Sequence, residues 1–145
     1  GVPHRLELVR DLNGVRWYDD SIATAPERTI AAINSFDEPI VLLLGGRDKN
    51  LPWDKLAQLI RRRVSRVVIF GEAGDLIAEA IGPKKPGQAM RSVVRCATLQ
   101  EAIKTAHNQA EAGDVVLLSP GGTSYDAFKD FEERGQAFRE WVNQL

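Results

Sequence analysis

At 145 residues the chain fits one domain of ordinary size, and its 43% hydrophobic and 27% charged content is that of a globular protein. No run approaches the roughly 20 apolar residues of a membrane span, and Gly1-Val2-Pro3-His4-Arg5 has no basic segment leading an apolar one, so a cytoplasmic setting is expected. The lone Cys96 excludes an internal disulfide, His4 and His107 offer no zinc spacing, and a net charge of −1 gives no overall attraction to nucleic acid or an anionic membrane.

In chain order, Leu6 to Val9 and Val15 to Tyr18 flank Asn13-Gly14, a dipeptide suited to positive φ, and read as a hairpin. Thr24-Ala25-Pro26-Glu27 reads as a helix start, with Thr24 able to cap, Pro26 in the first turn and Glu27 as the early acid. Ile30, Ala31 and Ile33 carry that helix to about Phe36. Asp37-Glu38-Pro39 breaks the chain, and the apolar run Ile40 to Leu44 is a buried strand stopped by Gly45-Gly46.

A helix over about Asp54 to Arg62 and a strand over Arg66 to Phe70 come next, followed by a short helix over Gly74 to Ile81. Pro83 and Pro86 mark the exposed loop beyond it. Ser92 to Arg95 is a short strand, Leu99 to Ala112 a helix, and Asp114 to Leu118 a last strand. The final helical region covers about Tyr125 to Val142, with an irregularity expected near Gly135. Arg61-Arg62-Arg63 with Arg66 is the best basic patch, and its place at the end of a helical pattern fits a solvated helix end favoured by the dipole.

Apolar strands alternating with amphipathic helices imply an α/β fold, a Rossmann-like, doubly wound and mostly parallel sheet with helices on both faces and an N-terminal hairpin. Ligands of such folds gather at the carboxyl ends of the strands. Three segments fall there: Asp19 to Thr24, Gly45 to Asn50 and Ser119 to Ser124. In the second, the glycines permit close backbone approach and Arg47 or Lys49 can neutralise an anion, although a plain polar turn explains the pattern equally. In the third, small residues and the hydroxyls of Ser119, Thr123 and Ser124 suit an anion cradle, while capping of the next helix by Thr123 or Ser124 is the competing explanation. Neither GxxxxGK[ST] nor GxGxxG occurs, so the chain has no triphosphate-gripping loop of its own.

Four segments in order, Gly1-Val2-Pro3-His4-Arg5-Leu6-Glu7, Trp17 to Thr24 (WYDDSIAT), Leu44 to Lys49 (LGGRDK) and Leu118 to Gly135 (LSPGGTSYDAFKDFEERG), resemble the C-terminal domain of the Mur ligases. The resemblance spans essentially residues 1–145 and implies the glutamate-binding domain of a peptidoglycan-precursor ligase, with the UDP-binding and central ATPase domains outside this sequence. Those domains, glutamate and UDP-N-acetylmuramoyl-L-alanine would be its partners. ATP and Mg2+ would be held mainly by the central domain.

By the same resemblance Lys49 and Ser124 hold glutamate carboxylate oxygens, Thr24 supports them and Phe131 lines the pocket. Arg5 and Asp20 meet the nucleotide, and no catalytic or metal-binding residue lies in this domain alone. Ile22 stands where the family often has lysine, and Gly121-Gly122-Thr123 replaces the more usual Ala-Cys-Ala. The alternatives are an L-glutamate-adding relative and a free-standing binding module of flavodoxin-like shape.

Overall fold

Asn13 and Gly14 both take positive φ, 54° and 82°. Their tight turn folds β1 (Glu7–Leu12) back antiparallel on β2 (Val15–Asp19) and pairs Leu12 with Val15. The chain then alternates: α1 (Pro26–Ile33), β3 (Ile40–Gly45), α2 (Asp54–Arg63), β4 (Arg66–Phe70), α3 (Gly74–Ile81), β5 (Ser92–Arg95), α4 (Leu99–Gln109), β6 (Val115–Gly121) and α5 (Phe131–Asn143). The computed structural model describes all of Gly1–Leu145. It forms one six-stranded sheet ordered β1-β2-β6-β3-β4-β5, parallel except for β1.

All of Ile40–Gly45 is buried, which is why this strand reads as an unbroken apolar run. Its side chains still alternate between two cores. Leu42 and Leu44 join Leu117, Val67 and Ile69 beneath α1, α2 and α3, whereas Val41 and Leu43 join Val116, Leu118, Val68 and Phe70 beneath α4 and α5. The doubly wound arrangement expected from the alternation is therefore present. The helix following β3 packs on one face and the helix following β6 on the other, although these strands are neighbours. The loops at their carboxyl ends are where ligands of such folds gather.

Several element ends differ from the sequence expectations. Ala25, not Thr24, occupies the N-cap of α1, without a side-chain cap, and the helix stops at Ile33. Phe36 instead packs edge-on to Tyr18 at 4.8 Å between ring centroids. Helix α4 ends at Gln109, before the turn that closes on Asp114. Strand β6 runs on to Gly121, which pairs with Gly45 of β3, and the segment after β2 stays bonded on its other side, with Asp20 N–H donating to Leu118 O and Gly121 N–H to Ala23 O.

Helix α5 begins at Phe131, and Asp130 is its cap: Asp130 Oδ1 accepts from Glu133 N–H at 2.8 Å, while Glu133 Oε1 accepts from Lys129 N–H at 3.0 Å. Neither Thr123 nor Ser124 caps it. The helix passes through Gly135 without a break, and the glycine serves packing: the position lies against the His4 imidazole and a Cβ there would strike it.

The basic patch is largely engaged by the chain itself. Arg61 donates to Ile81 O at 2.9 Å, Arg63 to Phe36 O and Glu38 O at 2.6 and 2.9 Å, and Arg66 to Ser92 Oγ at 3.1 Å. These guanidinium groups tie α2 to the end of α3, where a last-turn carbonyl is open, and to the segment before β3, and tie β4 to β5.

Where β3 ends, Gly45 lies in register with Phe70 of β4, and a Cβ on Gly45 would fall onto the Phe70 carbonyl. Gly45→Ala is expected to lower stability by about 2–4 kcal/mol, because backbone rather than a flexible side chain would have to move. The midpoint of urea unfolding measures the loss.

Candidate functional site

The loops after β3 and β6 are joined by a short antiparallel bridge: Arg47 N–H donates to Thr123 O and Thr123 N–H to Arg47 O, each at 2.9 Å. Their glycines serve this contact. A Cβ on Gly122 would come within 2.6 Å of Gly45 O and 3.0 Å of Arg47 O. The close approach suggested by the sequence is thus between the two loops, and the Gly-Gly pair brings them nearer than larger residues would allow.

Beneath the bridge lies Arg134, fully buried. Its Nε donates to Ser21 Oγ at 3.0 Å, one terminal nitrogen to Ser21 O at 2.9 Å and the other to Gly122 O at 3.1 Å. Ser21 Oγ donates onward to Phe131 O at 2.7 Å. One guanidinium thereby holds the segment after β2, the loop after β6 and the start of α5. Burial pushes its pKa down to about 10, opposed by the charges of Asp126 and Asp19, so it is still a cation at neutral pH.

Asp19, also fully buried, accepts from Ser21 N–H at 2.9 Å and pairs with His4 Nδ1 at 2.6 Å. The His4 ring stands edge-on to Phe131, with centroids 6.3 Å apart. The sequence alone gives Arg134 no role beyond membership of the Phe-Glu-Glu-Arg-Gly segment. The missed signal was periodicity: Arg134, Gly135, Phe138 and Val142 share the buried stripe of α5, and an arginine on that stripe needs internal acceptors.

The six residues expected to bind ligand fall into two groups. Lys49 Nζ reaches Thr24 Oγ1 at 3.5 Å, linking the ends of β3 and β2. Ser124 is buried directly after the Arg47–Thr123 bridge, and Phe131 opens α5 under Ser21. Lys49 is exposed and enters no ion pair, whereas Arg47 is committed to Glu72, Nε to Oε2 at 3.0 Å, and that carboxylate raises its pKa. Of the two cations after β3, Lys49 is the one free to meet an anion.

The second group, Arg5 and Asp20, lines a separate cavity of about 130 Å³ together with Ile22 and Arg28. Asp20 is buried, accepting from Leu6 N–H at 3.1 Å and from Ser119 Oγ at 2.7 Å. Burial raises its pKa to about 6, against those two hydrogen bonds and with a smaller contribution from Asp19. Guanidinium and carboxyl groups around this cavity suit the phosphate and hydroxyl groups of a nucleotide.

A resident Mg2+ does not fit the residues present. The one grouping of metal-ligating side chains, His4, Glu7 and Asp19, is spent internally. His4 pairs with Asp19, and Glu7 Oε1 accepts from His4 N–H at 2.5 Å and lies 3.5 Å from an Arg139 nitrogen.

Replacing Arg134 by Met leaves two carbonyls and a hydroxyl without their donor inside the protein. A loss of about 3–5 kcal/mol is expected, and Arg134→Lys should recover little of it because an ammonium cannot span three fixed acceptors. Denaturant unfolding tests both. Since the folded Asp20 pKa exceeds its ordinary value of 3.8, the fold binds the proton more tightly than the unfolded chain does. This contribution to stability is full below about 4 and is lost as pH rises through about 6. Unfolding midpoints across that window should show the fall in the native protein and a flatter profile in Asp20→Asn.

Residues 4–122 match the family model described as Mur ligase, glutamate ligase domain. The chain is 44% identical over 148 aligned positions to the UDP-N-acetylmuramoylalanine--D-glutamate ligase of Acetivibrio thermocellus, covering 100% of this chain and 32% of that protein. It is 46% identical to the protein of the same name from Syntrophus aciditrophicus, covering 98% and 30%. It therefore spans about a third of the length of these relatives. Among solved structures, the fold matches MurF ligase from Thermotoga maritima in complex with ADP at a TM-score of 0.66 and 20% identity, over 99% of this chain and 32% of that one. Escherichia coli FolC in complex with ADP matches at 0.65 and 15%, over 99% and 32%. With the family model matched over residues 4–122 and relatives 44–46% identical over essentially the whole chain, the chain belongs to the Mur ligase family as a glutamate ligase domain.

Proposed function

We propose that residues 1–145 are the glutamate-binding domain of a ligase that adds D-glutamate to UDP-N-acetylmuramoyl-L-alanine in peptidoglycan precursor synthesis. The observation that carries this reading is the Lys49 ammonium, exposed and without an acidic partner, set against Thr24 Oγ1 at 3.5 Å beside the bridge that precedes Ser124. An ammonium with two hydroxyls suits a carboxylate, which offers two oxygens and about four lone pairs. The names of the 39–46% identical relatives support the D configuration.

In the complete enzyme, ATP would activate the alanine carboxylate as an acyl phosphate, and the glutamate amine would displace phosphate to form the amide. Lys49, Thr24 and Ser124 contribute by fixing the glutamate carboxylate so that its amine points at the acyl carbon, a proximity effect. Phe131 walls the pocket. Closure of this domain on the UDP-binding and ATPase domains would exclude water from the acyl phosphate. Arg5 and Asp20 would meet the nucleotide from the neighbouring cavity. No nucleic acid or membrane partner is part of this reading; no helix is long and apolar enough to cross a membrane.

In the full-length ligase, Lys49→Ala is expected to raise the KM for glutamate by about 10- to 100-fold, the scale of one charge-assisted contact. The KM for the UDP precursor should stay within about twofold. Equal rises in both would remove the carboxylate role. Turnover with D-glutamate and none with L-glutamate tests the configuration, and the 145 residues alone should hydrolyse no ATP because they contain no phosphate-gripping loop.

A further inference from the structure

Arg28 occupies the third position of α1, within the first turn, where the helix dipole favours acids and disfavours cations. Its neighbour Glu27 obeys that preference. Arg28 does not, and no contact within the chain accounts for it: it is exposed and takes part in none of the salt bridges. Other arginines of the chain have evident tasks, as with Arg47 on Glu72, Arg61, Arg63 and Arg66 on neighbouring oxygens, and Arg134 under the loops. A residue that breaks a local rule without internal compensation points to a ligand.

Arg28 lines the cavity that also contains Arg5, Asp20 and Ile22. Arg5 is likewise exposed and unpaired, so two free guanidinium groups border a space of about 130 Å³. Whole small-molecule sites are about 300 Å³ or larger, so this cavity suits one group of a ligand held mostly elsewhere. Each Asp20 oxygen already has a donor, Leu6 N–H or Ser119 Oγ, which moderates its repulsion of an anion. Guanidinium forks match phosphate oxygens in pairs. Ile22, in the same lining, supplies no charge.

We infer that Arg28 is a further nucleotide-positioning residue, holding a phosphate group of ATP together with Arg5 at this cavity and supplying the cation that Ile22 does not. The inference rests on the reading of Arg5 and Asp20 as nucleotide-binding. It assigns the first turn of α1 a task in ATP recognition, separate from the contact of Thr24 with Lys49 just ahead of the helix.

The test is steady-state kinetics of the full-length ligase with each substrate varied in turn. Arg28→Ala is expected to raise the KM for ATP about tenfold, with the KM values for glutamate and the UDP precursor within about twofold. Arg28→Gln should behave like alanine, since length without charge does not serve. Ile22→Lys added to Arg28→Ala returns an ammonium to the same lining and is expected to recover most of the loss. If Arg5→Ala raises the KM for ATP and Arg28→Ala does not, the inference falls while the nucleotide reading stands. If neither variant moves it, the cavity does not face ATP and both fall. A rise confined to the UDP precursor would assign the anion to that substrate's diphosphate and overturn the inference, as would equal rises for all three substrates, the mark of a structural effect.

Discussion

Burying a guanidinium strips it of water, a cost that only well-aimed acceptors can offset. Arg134 meets that condition with Ser21 Oγ, Ser21 O and Gly122 O, and with Asp19 and Asp126 near enough to favour its charge. Because a guanidinium is planar and its N–H directions are fixed, the three acceptors cannot shift independently. Thr24 follows Ser21 by three residues, Ser124 follows Gly122 by two, and Phe131 opens the helix carrying Arg134. The positions of three proposed glutamate contacts are thus referred to one buried cation. Its value lies more in geometry than in net stability.

The same segment after β2 serves both groups of residues. Asp20 and Ile22 belong to the small cavity with Arg5 and Arg28, and Thr24 belongs with Lys49. Its backbone is held on one side by pairing to β6 and below by Arg134, so the two groups are mutually fixed although they share no side chain. The hydroxyls and the Asp20 carboxyl are mostly buried, whereas Lys49, Arg5 and Arg28 are exposed. Buried polar groups give direction and exposed cations give attraction. A surface of this kind is suited to completion by another domain closing over it.

Much of the architecture was legible in the sequence because local signals and global packing agree. Strands β4 and β5 and helix α3 have the bounds that their apolar runs and flanking breakers indicate. The Asn13-Gly14 turn requires positive φ and has it. Where local signals misled, a competing interaction prevailed: the Asp130/Glu133 capping pair delayed α5, and pairing with Gly45 of β3 and with the segment after β2 lengthened β6. Gly135 is a packing glycine inside the helix and not a breaker, because His4, distant in sequence, fills the space above it.

The sequence by itself determined the order and type of the elements, the alternation that commits the sheet to two apolar faces, and the motif residues that mark the family. These depend on periodicity and on residues adjacent in the chain. Only the tertiary structure decided what the glycines and charges are for. Gly46 and Gly122 admit each other's loops, Arg47 is tied to Glu72, and Lys49 is left free. Arg134 bonds to a serine 113 positions away, and Arg28 joins Arg5 and Asp20 around one cavity. Partners this distant in the chain meet only once the sheet has closed, and no local pattern encodes which charge will find an acceptor and which will face solvent.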